Sequence, residues 1–248
     1  MKQILRMIRT VIHFFFNILF PPLCVNCEMY MRDSSGSLCD NCYTSIEKCT
    51  TLTCPICKTR LAHNRRICNH SVPDARRFPY LLGSATLYMD PVIKNCIYAY
   101  KYQGIHALSE PLARLLIEYA QNLNPHPSLF DTAPIVIPIP LHVKKKRKRG
   151  FNQSALIAKS FASALKLPYD ELLIKIVHND AQAQTKTHHE RFAHMMDAFI
   201  ISRPECVWNK NIILIDDVST SGATLSEAAQ TLKAAGAKQI LALVIARA

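Results

Sequence analysis

The chain of 248 residues and 28.0 kDa has room for one large domain or two modest ones. With 49% apolar and 19% charged residues and no long biased tract, it falls outside the disordered and collagen-like classes and can build a buried core. Thirty Lys and Arg against eighteen Asp and Glu leave a net charge of +12, which favours a polyanionic partner such as nucleic acid, phosphate or a lipid surface without choosing among them.

Residues 1–20 carry a basic flank (Lys2, Arg6, Arg9) and an apolar stretch from Val11 to Phe20 that superficially looks like a signal peptide. His13 and Asn17 interrupt that stretch and no small-residue cleavage site follows, while a membrane span needs about 20 predominantly apolar residues. The segment reads as an amphipathic helix packed on its own protein, with docking to the inner face of a membrane as the rival, and the protein reads as cytoplasmic.

Eight of the ten cysteines lie between Cys24 and Cys68, largely in CxxC pairs, a usage that favours metal over disulfides. Cys24 and Cys27 are separated from Cys39 and Cys42 by eleven residues, enough for the chain to fold back and close a tetrahedron of four sulfurs. Cys54 and Cys57 open a second set that Cys68 continues. The fourth ligand is assigned to His70, with His63 as runner-up and Cys49 as an outsider. Residues 21–75 therefore read as a double zinc ribbon holding one or two structural zinc ions. A four-thiolate site leaves no open position for water, so scaffolding or partner docking is expected before nucleic-acid contact, and catalysis is not.

The composition changes near residue 75, between Pro73 and Pro79, and residues 76–248 read as a second domain of alternating strands and helices. Leu81 to Tyr88 is predicted as a strand, Pro91 to Tyr100 and Leu108 to Gln121 as helices, and residues 124–127 as a break. Ile135 to Ile137 is a buried strand closed by Pro138 and Pro140. The run Lys144, Lys145, Lys146, Arg147, Lys148, Arg149 is most simply a solvated loop, but it could also draw in phosphate or a nucleic-acid backbone. A helix from Ser154 to Leu165 follows, with Leu156, Ile157, Phe161 and Leu165 at helical spacing. Ile212 to Ile215, a polar turn, a helix from Thr224 to Ala235 and a strand from Ile240 to Ile245 complete the domain. Strand, helix, strand implies parallel pairing.

The most informative stretch runs from Ile212 to Thr224. An apolar strand delivers Asp216 and Asp217 to the end of a parallel sheet, where open α/β folds bind ligands. Ser219, Thr220, Ser221 and Thr224 then surround Gly222 and Ala223 at a helix start, whose unpaired N–H groups and dipole favour a phosphate monoester. Carboxylates beside such a cradle suit a ribose 5-phosphate, since vicinal hydroxyls want acceptors and a phosphate wants donors. A Walker B reading needs GxxxxGK[ST], which the chain lacks.

This string resembles the phosphoribosyl-pyrophosphate motif of type I phosphoribosyltransferases, and the chain from Pro21 onward resembles the ComF family, which joins that domain to an N-terminal zinc ribbon. Pro138 to His142, Arg149 to Gln153, Tyr100 to Gly104 (a lysine loop), and Gln184 with Arg191 and Ala198-Phe199 carry the likeness. His194 departs from the family's usual Asn, and the last ligand pair of the second ribbon is degenerate. The resemblance implies an α/β type I phosphoribosyltransferase fold, a central parallel sheet flanked by helices, after a small zinc-ribbon domain. It implies that Asp216 and Asp217 hold the ribose hydroxyls, directly or through magnesium, and that residues 220–224 hold the 5-phosphate, with Ser219 part of the same binding site. The turn from Ile139 to His142, with Pro140 and Leu141, would take the pyrophosphate; Lys101, the basic run and Arg191 would face pyrophosphate or nucleic acid. Phe151, Tyr100 and Tyr102 could stack bases if they are not buried. The implied role is in natural transformation, on incoming single-stranded DNA. Two readings follow: a phosphoribosyltransferase of unidentified acceptor, or a non-catalytic module that senses a nucleotide or grips DNA while the ribbon docks a helicase or recombination protein.

Overall fold

The computed structural model describes residues 21–31, 37–61, 68, 78–123, 132–176 and 198–248. The segments 1–20 and 124–127, the division near residue 75, and His63, His70, Gln184, Arg191 and His194 lie outside them. One five-stranded sheet organises the rest. Its strands are β1 (Leu52–Thr53), β2 (Leu81–Leu87), β3 (Ile135–Pro138), β6 (Asn211–Ser219) and β7 (Gln239–Arg247), in the spatial order β1-β2-β7-β6-β3. β2, β7, β6 and β3 are parallel, and only the edge strand β1 runs antiparallel.

The apolar runs of β6 and β7 are continuous because both faces of the sheet are covered. On one face Ile213, Ile215, Leu241 and Leu243 pack with Leu112, Leu116, Ile157 and Phe161 of the helices α3 (Ser109–Asn122) and α5 (Gln153–Leu165). On the other, Ile212, Leu214, Ile240 and Ala242 pack with Leu225, Ala228, Ala229 and Leu232 of α6 (Ala223–Ala234). The approach of α3 is close enough to require a glycine in β2. A Cβ on Gly83 would stand 2.6 Å from Leu243 Cδ2 and 2.7 Å from Tyr119 Cε1.

The cysteine-rich segment is built into this body. Its helix α1 (Asp40–Ser45) buries Cys42 and Tyr43, and these join Cys24, Met31 and Ile46 in the same core as Ile93 and Ile97 of α2 (Pro91–Tyr98). Tyr43 Oη donates to Glu118 on α3 at 3.0 Å, and Tyr119 Oη donates to the Thr51 carbonyl at 2.8 Å.

Three local features differ from the sequence reading. The basic run is a helix, α4 (Val143–Arg149), not a loop. Lys and Arg are good helix formers, His142 Nδ1 accepts from the Lys144 N–H at 3.3 Å, and Gly150 closes the far end in the left-handed region. The strand predicted to stop at Ile215 runs on through Ser219, pairing Asp216 with Val244 and Ser219 with Arg247. Two three-residue strands, β4 (Leu173–Lys175) and β5 (Phe199–Ile201), form a separate antiparallel pair too short to leave a periodic signal. Among the described residues no helix is long and apolar enough to cross a membrane.

Candidate functional site

Asp216 and Asp217 lie in the last turn of pairing of β6, not beyond it. Each is held by a different element. Ser154 Oγ, in the first turn of α5, donates to Asp216 Oδ1 at 2.8 Å, and the Asp217 N–H donates to the same oxygen at 2.9 Å. Lys101 Nζ pairs with Asp217 Oδ1 at 2.8 Å. Burial, and then the neighbouring Asp217 charge, push the Asp216 carboxyl up to about 7 against the pull of Lys101 and Ser154. Burial would lower the Lys101 ammonium, but the Asp217 carboxylate outweighs it and the net direction is up.

Lys101 comes from a single π-helical turn, Ala99–Gln103, that ends at Gly104 in the left-handed region. Such turns widen a helix locally and often re-aim a side chain at a site. Tyr100 beside it is fully buried, its Oη donating to the Gln153 carbonyl at 2.9 Å, and Phe151 is 8% exposed and stacked on His106 at 3.9 Å between centroids. Of the three aromatics considered for base stacking, Tyr100 and Phe151 are therefore core, and only Tyr102 is exposed, with the Arg149 guanidinium 5.4 Å over its ring.

The corner expected to cradle a phosphate follows directly. Thr220, Ser221 and Gly222 turn the chain from β6 into α6, and Gly222, at φ +76, is the helix N-cap. A Cβ there would stand 3.1 Å from Tyr80 Oη, so both backbone conformation and space call for glycine. Ser219 is buried, while Thr220 and Ser221 are exposed at the corner and Ala223 and Thr224 are half-buried in the first turn of α6. The first N–H groups of a helix have no intrahelical partner and suit an anion, and here the Ala223 N–H reaches Ser221 Oγ at 3.4 Å.

The turn from Ile139 to His142 meets β6 at Ile215, the residue before the two acids. The Ile139 N–H donates to the Ile215 carbonyl at 2.8 Å, and Asn152 Nδ2 donates to the Ile139 carbonyl at 3.1 Å. Pro140 and Leu141 are half-buried along it, and α4 then carries Lys144, Lys146, Arg147 and Lys148 exposed. Sequence reasoning passed over Ser154 and Glu227. In the sequence Ser154 stands only as the start of a helix, and its place in the string after Gly150 is the available signal. Glu227, on α6, is 7% exposed, its Oε1 has no hydrogen-bond partner among the described residues, and burial lifts its carboxyl to about 7 against the Lys175 charge. Nothing in the sequence marked it, because a Glu on a helix normally points to water.

The cysteines form two clusters. The sulfurs of Cys24, Cys27, Cys39 and Cys42 lie within 4.8 Å of one another, as do those of Cys54, Cys57 and Cys68. The two CxxC knuckles have the same backbone: Cys24 and Cys54 each donate five residues ahead, to the Met29 and Thr59 carbonyls, and Glu28 and Lys58 both take positive φ. Sγ–Sγ separations of 3.7 Å for Cys27–Cys39 and Cys57–Cys68 are far longer than a disulfide. They match the edge of about 3.8 Å that a tetrahedron with bonds of about 2.3 Å requires. Both clusters fit a metal ion of the zinc type by donor chemistry and spacing. Burial raises the Cys24 thiol, but backbone N–H donors from Cys27, Cys39 and Asn26 outweigh it and the net direction is down, whereas burial and the neighbouring sulfurs hold the Cys42 thiol up, so the first proton to leave the cluster is that of Cys24.

The second knuckle also touches the cradle region. Pro55 and Lys58 share a small cavity with Ser219, Thr220, Ser221 and Gly222, and Arg247 NH1 donates to the Lys58 carbonyl at 3.2 Å.

Comparison with known proteins places these features in context. A family described as "Phosphoribosyl transferase domain" matches residues 152–248. DNA utilization protein YhgH of Salmonella typhimurium is 26% identical over 220 residues, 89% of this chain and 94% of that protein. Competence protein F of Haemophilus influenzae is 24% identical over 227 residues, 91% and 96% of the two chains, and competence protein ComFC of Streptococcus pneumoniae is 26% identical over 224 residues, 88% and 91%.

Proposed function

The chain belongs to the ComF family, and from that premise we propose that it binds phosphoribosyl pyrophosphate at the corner after β6 and acts in natural transformation on internalised single-stranded DNA. The observation that carries the reading is the Asp216–Asp217 pair beside Lys101 at the mouth of a glycine-capped cradle. In this reading the two carboxylates accept from the ribose hydroxyls, and Ser219, Thr220, Ser221, Gly222, Ala223 and Thr224 donate to the 5-phosphate. The turn at Pro140 and Leu141 takes the pyrophosphate end. Ligand hydroxyls replace the ammonium on Asp217, and Lys101 turns to the departing pyrophosphate. Bond breaking at the anomeric carbon leaves positive charge on the sugar, which the fixed carboxylates stabilise without reorganisation. Bound magnesium would neutralise the pyrophosphate as it leaves, with Asp216 and Asp217 as the oxygen donors that could hold it.

The same reading gives Cys24, Cys27, Cys39 and Cys42 one structural zinc, and Cys54, Cys57 and Cys68 a second, completed by His70. The basic helix α4, with Arg191, meets the DNA backbone, and the ribbon is the docking face for a helicase or recombination protein. Calorimetric titration with phosphoribosyl pyrophosphate and magnesium is the test. Binding is expected, and Asp217→Asn should weaken it by about tenfold or more, the loss of a charge-assisted hydrogen bond. No heat with the wild-type chain sinks the proposal. Pyrophosphate release with nucleobases or single-stranded oligonucleotides then separates the enzyme from the sensor, which binds without turnover.

A further inference from the structure

The join between the cysteine segment and the sheet encloses a polar cavity that the sugar-phosphate site does not use. It holds about 40 Å³, room for an ion of a few heavy atoms but not for a nucleoside. Lys48 and Arg60 reach it from the cysteine segment and Arg247 from the end of β7, while Cys49, Thr50, Thr51, Thr53 and Ser84 complete the lining. Lys48 Nζ is paired with Glu118 at 2.7 Å. Arg60 and Arg247 have no carboxylate partner among the described residues. Three cations thus line one small cleft, Lys48 and Arg60 exposed at its rim and Arg247 half-buried, and no carboxylate is part of that lining, so their fields add at its centre.

We propose that this cavity binds a phosphate-class oxyanion, with Arg60 and Arg247 as the guanidinium donors, Lys48 as a third charge, and the Thr50 and Thr51 hydroxyls completing the shell. Guanidinium forks match an oxyanion in geometry as well as charge. Ser84 supplies shape only, since its Oγ–H is already given to the Thr86 carbonyl at 2.6 Å. Of the residues lining this cavity, only Arg247 also lines the smaller one against Ser219–Gly222. Arg247 is the register partner of Ser219, so an ion on its guanidinium would clamp the cysteine segment to the strand pair that carries the cradle.

The test uses the full, metal-loaded chain, titrated with inorganic phosphate while saturating ribose 5-phosphate occupies the cradle. Phosphate binding is expected to persist, to weaken as salt rises, to fall about tenfold in Arg60→Gln, and to recover largely in Arg60→Lys, which also controls for folding. Absence of phosphate binding by the wild-type chain, or equal affinity in Arg60→Gln, overturns the site. Ribose 5-phosphate binding, measured alone, reports separately on the cradle: if it fails while Arg60-dependent phosphate binding stands, the proposed function is lost and the oxyanion site is not. A 5′-phosphorylated oligonucleotide that competes where its 5′-hydroxyl counterpart does not identifies the ion as a strand's terminal phosphate; if neither competes, it is the free ion.

Discussion

Glu227 carries an acid into the protein without a full set of partners. Its carboxyl is raised from the usual glutamate range to about 7 by burial, and the charge of Lys175 only partly offsets that. A folded-state pKa above the unfolded value means that the folded chain holds the proton more tightly. The stability this confers is therefore complete below about pH 4 and lost as pH rises through about 7. Glu227→Gln, which keeps the shape and removes the charge, should gain stability relative to wild type between pH 5 and pH 8, on the order of 1–3 kcal/mol. Parallel urea-denaturation profiles at the two pH values would show that Glu227 is solvated after all. Asp216 and Asp217 were legible in the sequence because an apolar strand, two acids and a hydroxyl-rich glycine corner leave few alternatives. Ser154 and Lys101 were legible as residues of interest or as helix starts, but not as the partners of those acids. A contact across 62 residues, as between Ser154 and Asp216, has no local spacing to announce it.

Among the elements, α4 is where sequence and structure part most instructively. Six consecutive cations suggested a solvated loop, yet the residues are good helix formers, a histidine caps one end and a glycine the other. The result is a short exposed cylinder beside the turn expected to hold pyrophosphate. If single-stranded DNA lies along it, its affinity must fall with salt in proportion to the cations engaged. Replacing Lys144, Lys146 and Lys148 together by Gln keeps helix propensity and should reduce the slope of log affinity against log salt by about 2, at roughly 0.7 per phosphate contact. Calorimetric binding of phosphoribosyl pyrophosphate should survive with little change, because the cradle and the two acids lie on other elements. An unchanged salt slope would move the DNA path off α4. The long strands and helices were readable because their apolar residues recur with a regular period; β1, β4 and β5, two or three residues each, carry too few positions for any period to appear.

At the scale of the molecule, the cysteine segment and the phosphoribosyltransferase-type body share one sheet and one core. A change in composition marks where chemistry changes along a chain, but whether two segments bury side chains against each other depends on pairing that composition does not encode. Here β1 closes the sheet edge, Cys42 and Tyr43 sit in the core with Ile93 and Ile97, and the second knuckle abuts the cradle. Metal at the cysteines should therefore stabilise the whole body. The single tryptophan, Trp208, is 71% exposed and precedes β6, at the opposite end of that strand from the cradle, so its fluorescence reports on a region remote from the knuckles. Stripping metal with a strong chelator should lower the Trp208 melting transition by about 5–10 °C, the shift that a loss of roughly 2–3 kcal/mol produces in a chain of this size. The transition should stay single and coincide with loss of far-UV circular dichroism. A Trp208 melt that ignores the chelator would mean that the ribbon folds and unfolds on its own account, and that its contact with Ser219–Gly222 carries no energy into the cradle.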